Sequence, residues 1–242
     1  MNSPFNQSRV QTQSQSTAVD AGLRSHMLRV YNFMTSALIL TGLVAYFAGT
    51  SPAFLGMMFS ETGMSGLGWL VVFAPVAMVL LIGARAHAMS YSTLQMAFWG
   101  YAVLMGLSMF TIFLAYTGDS IARVFFITAG TFGLLSMYGY STKRDLTSWG
   151  SFLAVGVLAV FLVSLANLFL FESSGLSLLL SYVGVFLAIG LIAYDTQKVK
   201  ELYYMAGTGE AAKKASLMGA LSLYFDFIYL FINLLRILGD RR

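Results

Sequence analysis

The stretch Ala215-Ser-Leu-Met-Gly-Ala-Leu-Ser-Leu-Tyr-Phe-Asp226-Phe-Ile-Tyr-Leu-Phe-Ile-Asn-Leu-Leu235 carries a single charge, Asp226, near its middle. It meets the roughly 20 apolar residues that a helix needs to cross a bilayer. An ionisable group at that depth is costly, so it needs a partner and marks a functional site by default. At helical spacing, Gly219, Ser222, Asp226, Tyr229 and Asn233 fall within about 80° of one another around the axis. Every strongly polar group of the span therefore shares one narrow stripe, while Leu, Phe and Ile cover the rest. Such a helix belongs inside a bundle, its stripe turned to other protein or to a wet cavity.

The chain before this stretch reads as its wrapping. It is 242 residues long, 58% hydrophobic and only 10% charged, against roughly 25% charged residues in ordinary globular domains. A polytopic membrane protein follows. The absence of cysteine removes disulfides, thiolate catalysis and Cys-ligated metals. The net charge of +4 is scattered along the chain, which speaks for loop charge and against nucleic-acid binding.

Residues 1–22 are rich in Ser, Gln, Asn and Thr and are expected to form a disordered polar arm. The domain proper, 23–242, holds seven apolar segments, at about 27–49, 66–84, 92–116, 121–140, 148–171, 176–197 and 215–237. Turn residues mark several connectors: Gly49-Thr-Ser-Pro52, Tyr116-Thr-Gly-Asp-Ser120 and Glu172-Ser-Ser-Gly175. Trp69 and Trp149 sit near segment ends, as interfacial anchors do.

Arg9, Arg24, Arg29, Arg85, Lys143, Arg144 and the lysines at 198, 200, 213 and 214 all fall on one side of such a bundle. The opposite loops hold only Arg123, beside Glu61, Asp119 and Glu172. The positive-inside rule then puts the N-terminus in the cytosol. Arg236, Arg241 and Arg242 conflict with a full seventh crossing, which would place them outside. Span length argues for crossing and charge for returning. Because the first helices usually set topology, the last segment is expected to cross.

A second carboxylate lies in the sixth segment, Gly190-Leu-Ile-Ala-Tyr194-Asp195-Thr-Gln197-Lys198. Ser181, Gly184, Ala188 and Leu191 share its face, a mostly small-residue surface that lets helices approach closely. Consecutive antiparallel helices could bring Asp195 and Asp226 together. Depth is the obstacle, since Asp195 is roughly one turn from its segment end and Asp226 on the order of 16 Å into its own. They meet only if the sixth helix continues past Lys198 or the seventh begins nearer Gly207. Two such carboxylates would titrate as a unit, and the ionised pair would be a hard-oxygen site for Ca²⁺. Arg85, at the end of the second segment, is the candidate counter-ion. The plainer alternatives are a headgroup-level Asp195, an Asp226 that serves as hydrogen-bonding glue, and an Arg85 that only obeys the positive-inside rule.

These residues carry a resemblance. Ala193-Tyr-Asp195-Thr-Gln197 and Leu221-Ser-Leu-Tyr-Phe-Asp226-Phe-Ile-Tyr-Leu-Phe-Ile-Asn-Leu-Leu235 resemble the signature stretches of the Bax inhibitor-1 (transmembrane Bax inhibitor motif) family. Ile121-Ala-Arg-Val-Phe-Phe-Ile-Thr-Ala-Gly-Thr-Phe-Gly133 and Tyr138-Gly-Tyr-Ser-Thr-Lys-Arg-Asp145-Leu are similar to its bacterial branch. The resemblance implies an all-α integral membrane protein of seven transmembrane helices, the last (about 215–237) central and wrapped by the other six. It also implies a bacterial inner-membrane location and a pH-sensitive calcium leak channel whose sensor and transient Ca²⁺ site is the Asp195/Asp226 pair, latched by Arg85. Ser222, Tyr229 and Asn233 would line the polar stripe beside it. Some members of the family are described as modulators of a membrane-bound protease or as cell-death suppressors, so a non-transporting regulator is the alternative.

No enzyme is expected, and no cofactor. Intramembrane aspartyl proteases pair Tyr-Asp with a Gly-x-Gly-Asp motif followed by Pro-Ala-Leu. Here Tyr194-Asp195 is matched only by Ile237-Leu-Gly-Asp240, which lacks the first glycine and lies past the apolar run. His26 and His87 form no His-Glu-x-x-His pair and are each expected to be solvated interfacial histidines.

Overall fold

The computed structural model describes residues 21–242 in full. The polar arm expected over 1–22 lies outside the described residues, save for Ala21 and Gly22. Seven helical stretches among the described residues are long and apolar enough to cross a membrane. The first, α1, crosses over Ala21–Thr50. A short helix, α2 (Pro52–Met58), and a minimal hairpin of β1 (Phe59–Ser60) and β2 (Gly63–Met64) then lead into α3 (Gly66–Arg85). The third crossing is α4 (Tyr91–Ser108), which breaks at Met109 and resumes as α5 (Phe110–Ala115). Next come α6 (Gly118–Ser141) and α7 (Thr147–Ala166), the latter ending in a π-helical turn over Asn167–Phe171. The chain closes with α8 (Ser174–Ala206) and α9 (Glu210–Leu238). The membrane segments thus fall where the apolar runs put them, and the hairpin region over 51–65 is structure that those runs did not announce.

Hydroxyl residues start most of the crossings. The side chains of Ser65, Ser90, Thr117 and Ser173 each accept the backbone N–H three residues on, at the first turns of α3, α4, α6 and α8. Each satisfies one donor that a helix start leaves free. At the end of the π-helical turn, Glu172 takes a left-handed conformation with φ of 47°. Asn167 secures that turn: its amide donates to Ser173 O and Ser177 Oγ, and its carbonyl accepts the Ser173 N–H.

Two sets of contacts sort the connectors into opposite ends of the bundle. At one end, Glu210 accepts the Tyr91 N–H, Gln197 donates to Arg144 O, and Ser216 bonds His26. At the other, the C-terminus folds onto the α5–α6 connector. Arg242 N donates to Ala115 O, Thr117 N to Asp240 O, and Asp240 N to Ser120 Oγ, while the Arg123 and Asp240 side chains pair at 2.7 Å. The last helix therefore crosses completely, and its terminal arginines end opposite the 198–214 connector. Charge argued for a return; backbone pairing with Tyr116 holds the tail on the far side instead. The chain has no native cysteine to confuse labelling. A single Arg242→Cys variant should react with an impermeant maleimide from the face that labels Glu61→Cys. Labelling from the face that reaches Lys143→Cys would refute this topology.

The helix α9 is the most buried of the seven: 72% of its apolar window is enclosed, against 11–39% for the others. Its principal neighbours are α8, α1, α6 and α4, with α8 the most extensive. Of the six helices expected to wrap it, these four do so. The other two form an outer layer, α3 packing on α4 and α2, and α7 on α8. Both outer helices are apolar over most of their surface, so lipid can stand where a seventh-helix contact was expected.

Candidate functional site: a carboxylate pair between the last two helices

The condition for Asp195 and Asp226 to meet is fulfilled twice. The helix α8 runs through Lys198 to Ala206, and α9 begins at Glu210. The turn between them needs positive φ at Gly207 (63°) and Gly209 (80°), which glycine supplies without a Cβ penalty. Two long antiparallel helices result, and glycines let them close. A Cβ on Gly184 would stand 2.5 Å from Asn233 Oδ1, and one on Gly219 would stand 2.9 Å from Val199 Cγ2. Ser181, Gly184 and Ala188, the small-residue face anticipated on α8, are buried in this contact region.

Across this interface the side chains of Asp195 and Asp226 come close enough to interact. Asp226 is 4% exposed, and its Oδ2 is buried without a hydrogen-bond partner. Asp195 is half-buried. Among the described residues, no third His, Asp or Glu joins them in a cluster fit to hold a metal. Two carboxyl groups this close repel when both are ionised, and a shared proton or a passing cation relieves that repulsion.

Lys198, one turn along α8 from Asp195, is close enough for its charge to act on both carboxyls. It is exposed, however, its ammonium stands 5.6 Å from the centre of the Tyr194 ring, and it forms no ion pair among the described residues. This differs from the expected latch. Arg85 is exposed at the end of α3 and makes no ion pair among the described residues. The reason is packing: α3 lies on α4 and α2, away from the two helices that carry the pair.

Each residue of the Tyr194-Asp195-Thr196-Gln197 run has a separate partner. The Tyr194 ring fills the space that Gly150 leaves open on α7. Thr196 donates to Ile192 O at 2.7 Å and bonds Ser136 of α6 at 3.1 Å; Ser136 in turn bonds Tyr31 of α1. Gln197 accepts the Leu146 N–H at 2.8 Å and donates to Arg144 O at 2.9 Å, holding the α6–α7 connector. In that connector Asp145 accepts the Thr147 N–H at 2.8 Å, and the Thr147 hydroxyl and amide hold its carboxyl below the ordinary range. The motif is thus a four-way joint, with one member turned to Asp226.

Burial along the polar stripe of α9 is uneven. Gly219, Asp226 and Asn233 are buried and Ser222 and Tyr229 half-buried. Asn233 spends its amide on its own helix, donating to Tyr229 O at 2.7 Å, while Tyr229 OH stands buried without a partner. Phe227 and Leu230, on the other face, are buried too.

Sequence reading also missed two polar contacts made by α9. Tyr224 OH bonds Thr41 at 2.7 Å, and Thr41 donates to Ala102 O at 2.9 Å, tying α9 to α1 and α4. His26, expected to be solvated, is 6% exposed. Its Nδ1 bonds Ser216 Oγ at 3.1 Å and its ring lies against Tyr203. Burial here follows from the overrun of α8, which carries Val199 and Tyr203 up beside α1. His87 is exposed, as expected.

Comparison with known proteins agrees with this architecture. The family model described as inhibitor of apoptosis-promoting Bax1 matches residues 23–242. An uncharacterized protein, RP147, of Rickettsia prowazekii is 47% identical over 96% of this chain and 96% of its own. The inner membrane protein YbhL of Escherichia coli K12 is 41% identical over 92% of this chain and 94% of its own. An uncharacterized protein of Caulobacter vibrioides is 40% identical over 93% and 92%. A seven-crossing bundle whose most buried helix faces Tyr194-Asp195-Thr196-Gln197 through Asp226, matched by the family model over residues 23–242, makes this chain a member of the Bax inhibitor-1 family.

Proposed function

We propose that the protein is a passive, cation-selective leak path, Ca²⁺ foremost, gated by protonation of the Asp195/Asp226 pair. The observation that carries this reading is the approach of the two carboxyls, with Asp226 Oδ2 buried on the most enclosed helix and offered no donor other than the neighbouring carboxyl. An unsatisfied acceptor at that depth is expensive, so a group that would normally be selected against is held there by function. A leak fits better than a pump, because the sequence holds no nucleotide-binding loop to couple an energy source. A cation fits because the buried charges at the site are carboxylates, Lys198 being exposed. Ca²⁺ accepts loose carboxylate and carbonyl coordination, while Mg²⁺ dehydrates reluctantly. Two carboxyls fall well short of the six to eight oxygens of a resident Ca²⁺ site, which suits an ion in transit. The protein acts without catalysis and without a cofactor. The inner-membrane relative and the lysine-rich connector support an inner-membrane location with the N-terminus in the cytosol.

In this reading the counter-charge that resemblance gives to Arg85 falls to Lys198, acting across a distance and without an ion pair. The Lys198→Gln substitution should move the midpoint of the pH response to higher pH by roughly half a unit to one unit. Loss of that cation eases protonation of the pair. Arg85→Ala should leave the midpoint in place. Ca²⁺ flux in liposomes across a pH series measures both, and a shift with Arg85→Ala alone would restore the arginine latch.

The function itself is tested by purified protein in liposomes with a Ca²⁺ gradient and a luminal indicator. Flux above that of protein-free liposomes, without nucleotide, is the expected result. Absence of flux, with a membrane protease co-purifying, would instead establish the regulator reading.

A further inference from the structure

We propose that the cleft between α3 and α7, at the bundle end where the C-terminus lies, binds an anionic phospholipid. This site is separate from the carboxylate pair and does not depend on the leak reading. The cleft encloses about 900 Å³. Protein leaves it unfilled because α3 packs on α4 and α2 while α7 packs on α8; a Trp69–Phe169 ring contact at 5.7 Å spans the gap. Phe73 and Val76 of α3, Phe161 and Leu165 of α7 and Ile232 of α9 line an apolar part of it, beside a polar part that includes Ser164 and Ser177.

At the same cleft stand two cations, Arg236 and Arg241. Neither forms an ion pair among the described residues, where the pairs are Arg123–Asp240 and Lys214–Glu210. Arg241 is held in place by backbone pairing with Tyr116. The one carboxylate on the cleft wall, Glu172, leaves a net positive charge. The positive end of α8, at Ser173 and Ser174, adds to it.

Two guanidinium groups beside an apolar slot match a phosphodiester joined to an acyl chain. Guanidinium binds phosphate oxygens in bidentate fashion, and the slot takes hydrocarbon. A soluble anion would leave the apolar wall bare, and a permeant cation would be repelled by the arginines. A zwitterionic headgroup would bring its ammonium toward them. An anionic headgroup such as phosphatidylglycerol satisfies all three features.

The test uses the full chain in nanodiscs of phosphatidylcholine with graded phosphatidylglycerol, followed by native mass spectrometry of retained lipid. The parent should retain phosphatidylglycerol over phosphatidylcholine. The Arg236→Ala/Arg241→Ala variant should lose about fivefold in retention per arginine. Lys143→Ala/Arg144→Ala, at the other end of the bundle, should lose none. Val76→Trp fills the slot without altering charge and should also lower retention, which keeps the test decisive if the arginine variant misfolds. Equal retention of both lipids by the parent, unchanged retention in the arginine variant or in Val76→Trp, or a second copy of the chain occupying the face in place of lipid, would overturn the proposal.

Discussion

The Gly139→Val substitution is expected to lower the thermal unfolding midpoint in detergent by about 3–10 °C. Gly139 is buried on α6 where the backbone of α8 passes, and an added Cβ would collide with the carbonyl and Cα of Ala193. The obstacle is main chain, so no rotamer change relieves it and the helices must part. Overpacking of this kind costs about 1–3 kcal/mol, and a chain of this size loses about 2–4 °C per kcal/mol. The displaced segment is Ala193–Gln197, so the four-way joint and the carboxyl contact should loosen together. Gly130→Val is the control: it lies on the same helix, where nothing stands within 4 Å of an added Cβ. Equal midpoints for the two variants would show that α6 and α8 do not meet at Gly139.

The Asp226→Val substitution should act in the opposite direction on stability. It removes a buried carboxyl whose Oδ2 has no partner and replaces it with hydrocarbon of similar volume. Replacing a whole buried ion pair by apolar groups is neutral or stabilises by about 1–4 kcal/mol in other systems. Here the neighbour is a like-charged carboxyl, so removing one member relieves repulsion instead of stranding a counter-ion, and the midpoint should rise by about 2–4 °C. Asp195 tolerates the loss because it is half-buried and keeps Lys198 beside it. Stability gained at the expense of pH response would mark Asp226 as a residue retained for function. A lowered midpoint would mark it as structural glue, the plainer reading of that residue.

Much of the fold was legible because bilayer thickness fixes the length of apolar runs. The seven crossings and the small-residue face of α8 follow from composition and helical period. What was hidden depended on contacts between distant segments. Lys198, Lys200 and Glu201 end the apolar run but not the helix, since polar residues are welcome where a helix leaves the bilayer. The meeting of Asp195 with Asp226 turned on that overrun. The burial of His26 followed from it, because Val199 and Tyr203 exist as a wall only if α8 continues. Thr196, Ser136 and Tyr31 are single hydroxyl residues on three helices, and no period in the sequence links them. Arg85 was assigned by resemblance, yet which helices pack together decides what its charge can reach. The conflict over the last crossing was resolved by backbone pairing of Tyr116 with Arg241, an interaction without any residue-type signature.

The central claim is that the two carboxyls form one proton-responsive site on a cation path. The most direct measurement is Ca²⁺ flux across a pH series by the Asp195→Asn/Asp226→Asn double variant in liposomes, beside the parent. Both asparagines keep the side-chain volumes and remove the titrating groups, so packing is spared while the gate is lost. A titrating site can change a rate by as much as about tenfold per pH unit. The account predicts such dependence in the parent and less than about twofold change per unit in the double variant. PH dependence in the double variant equal to that of the parent would contradict it.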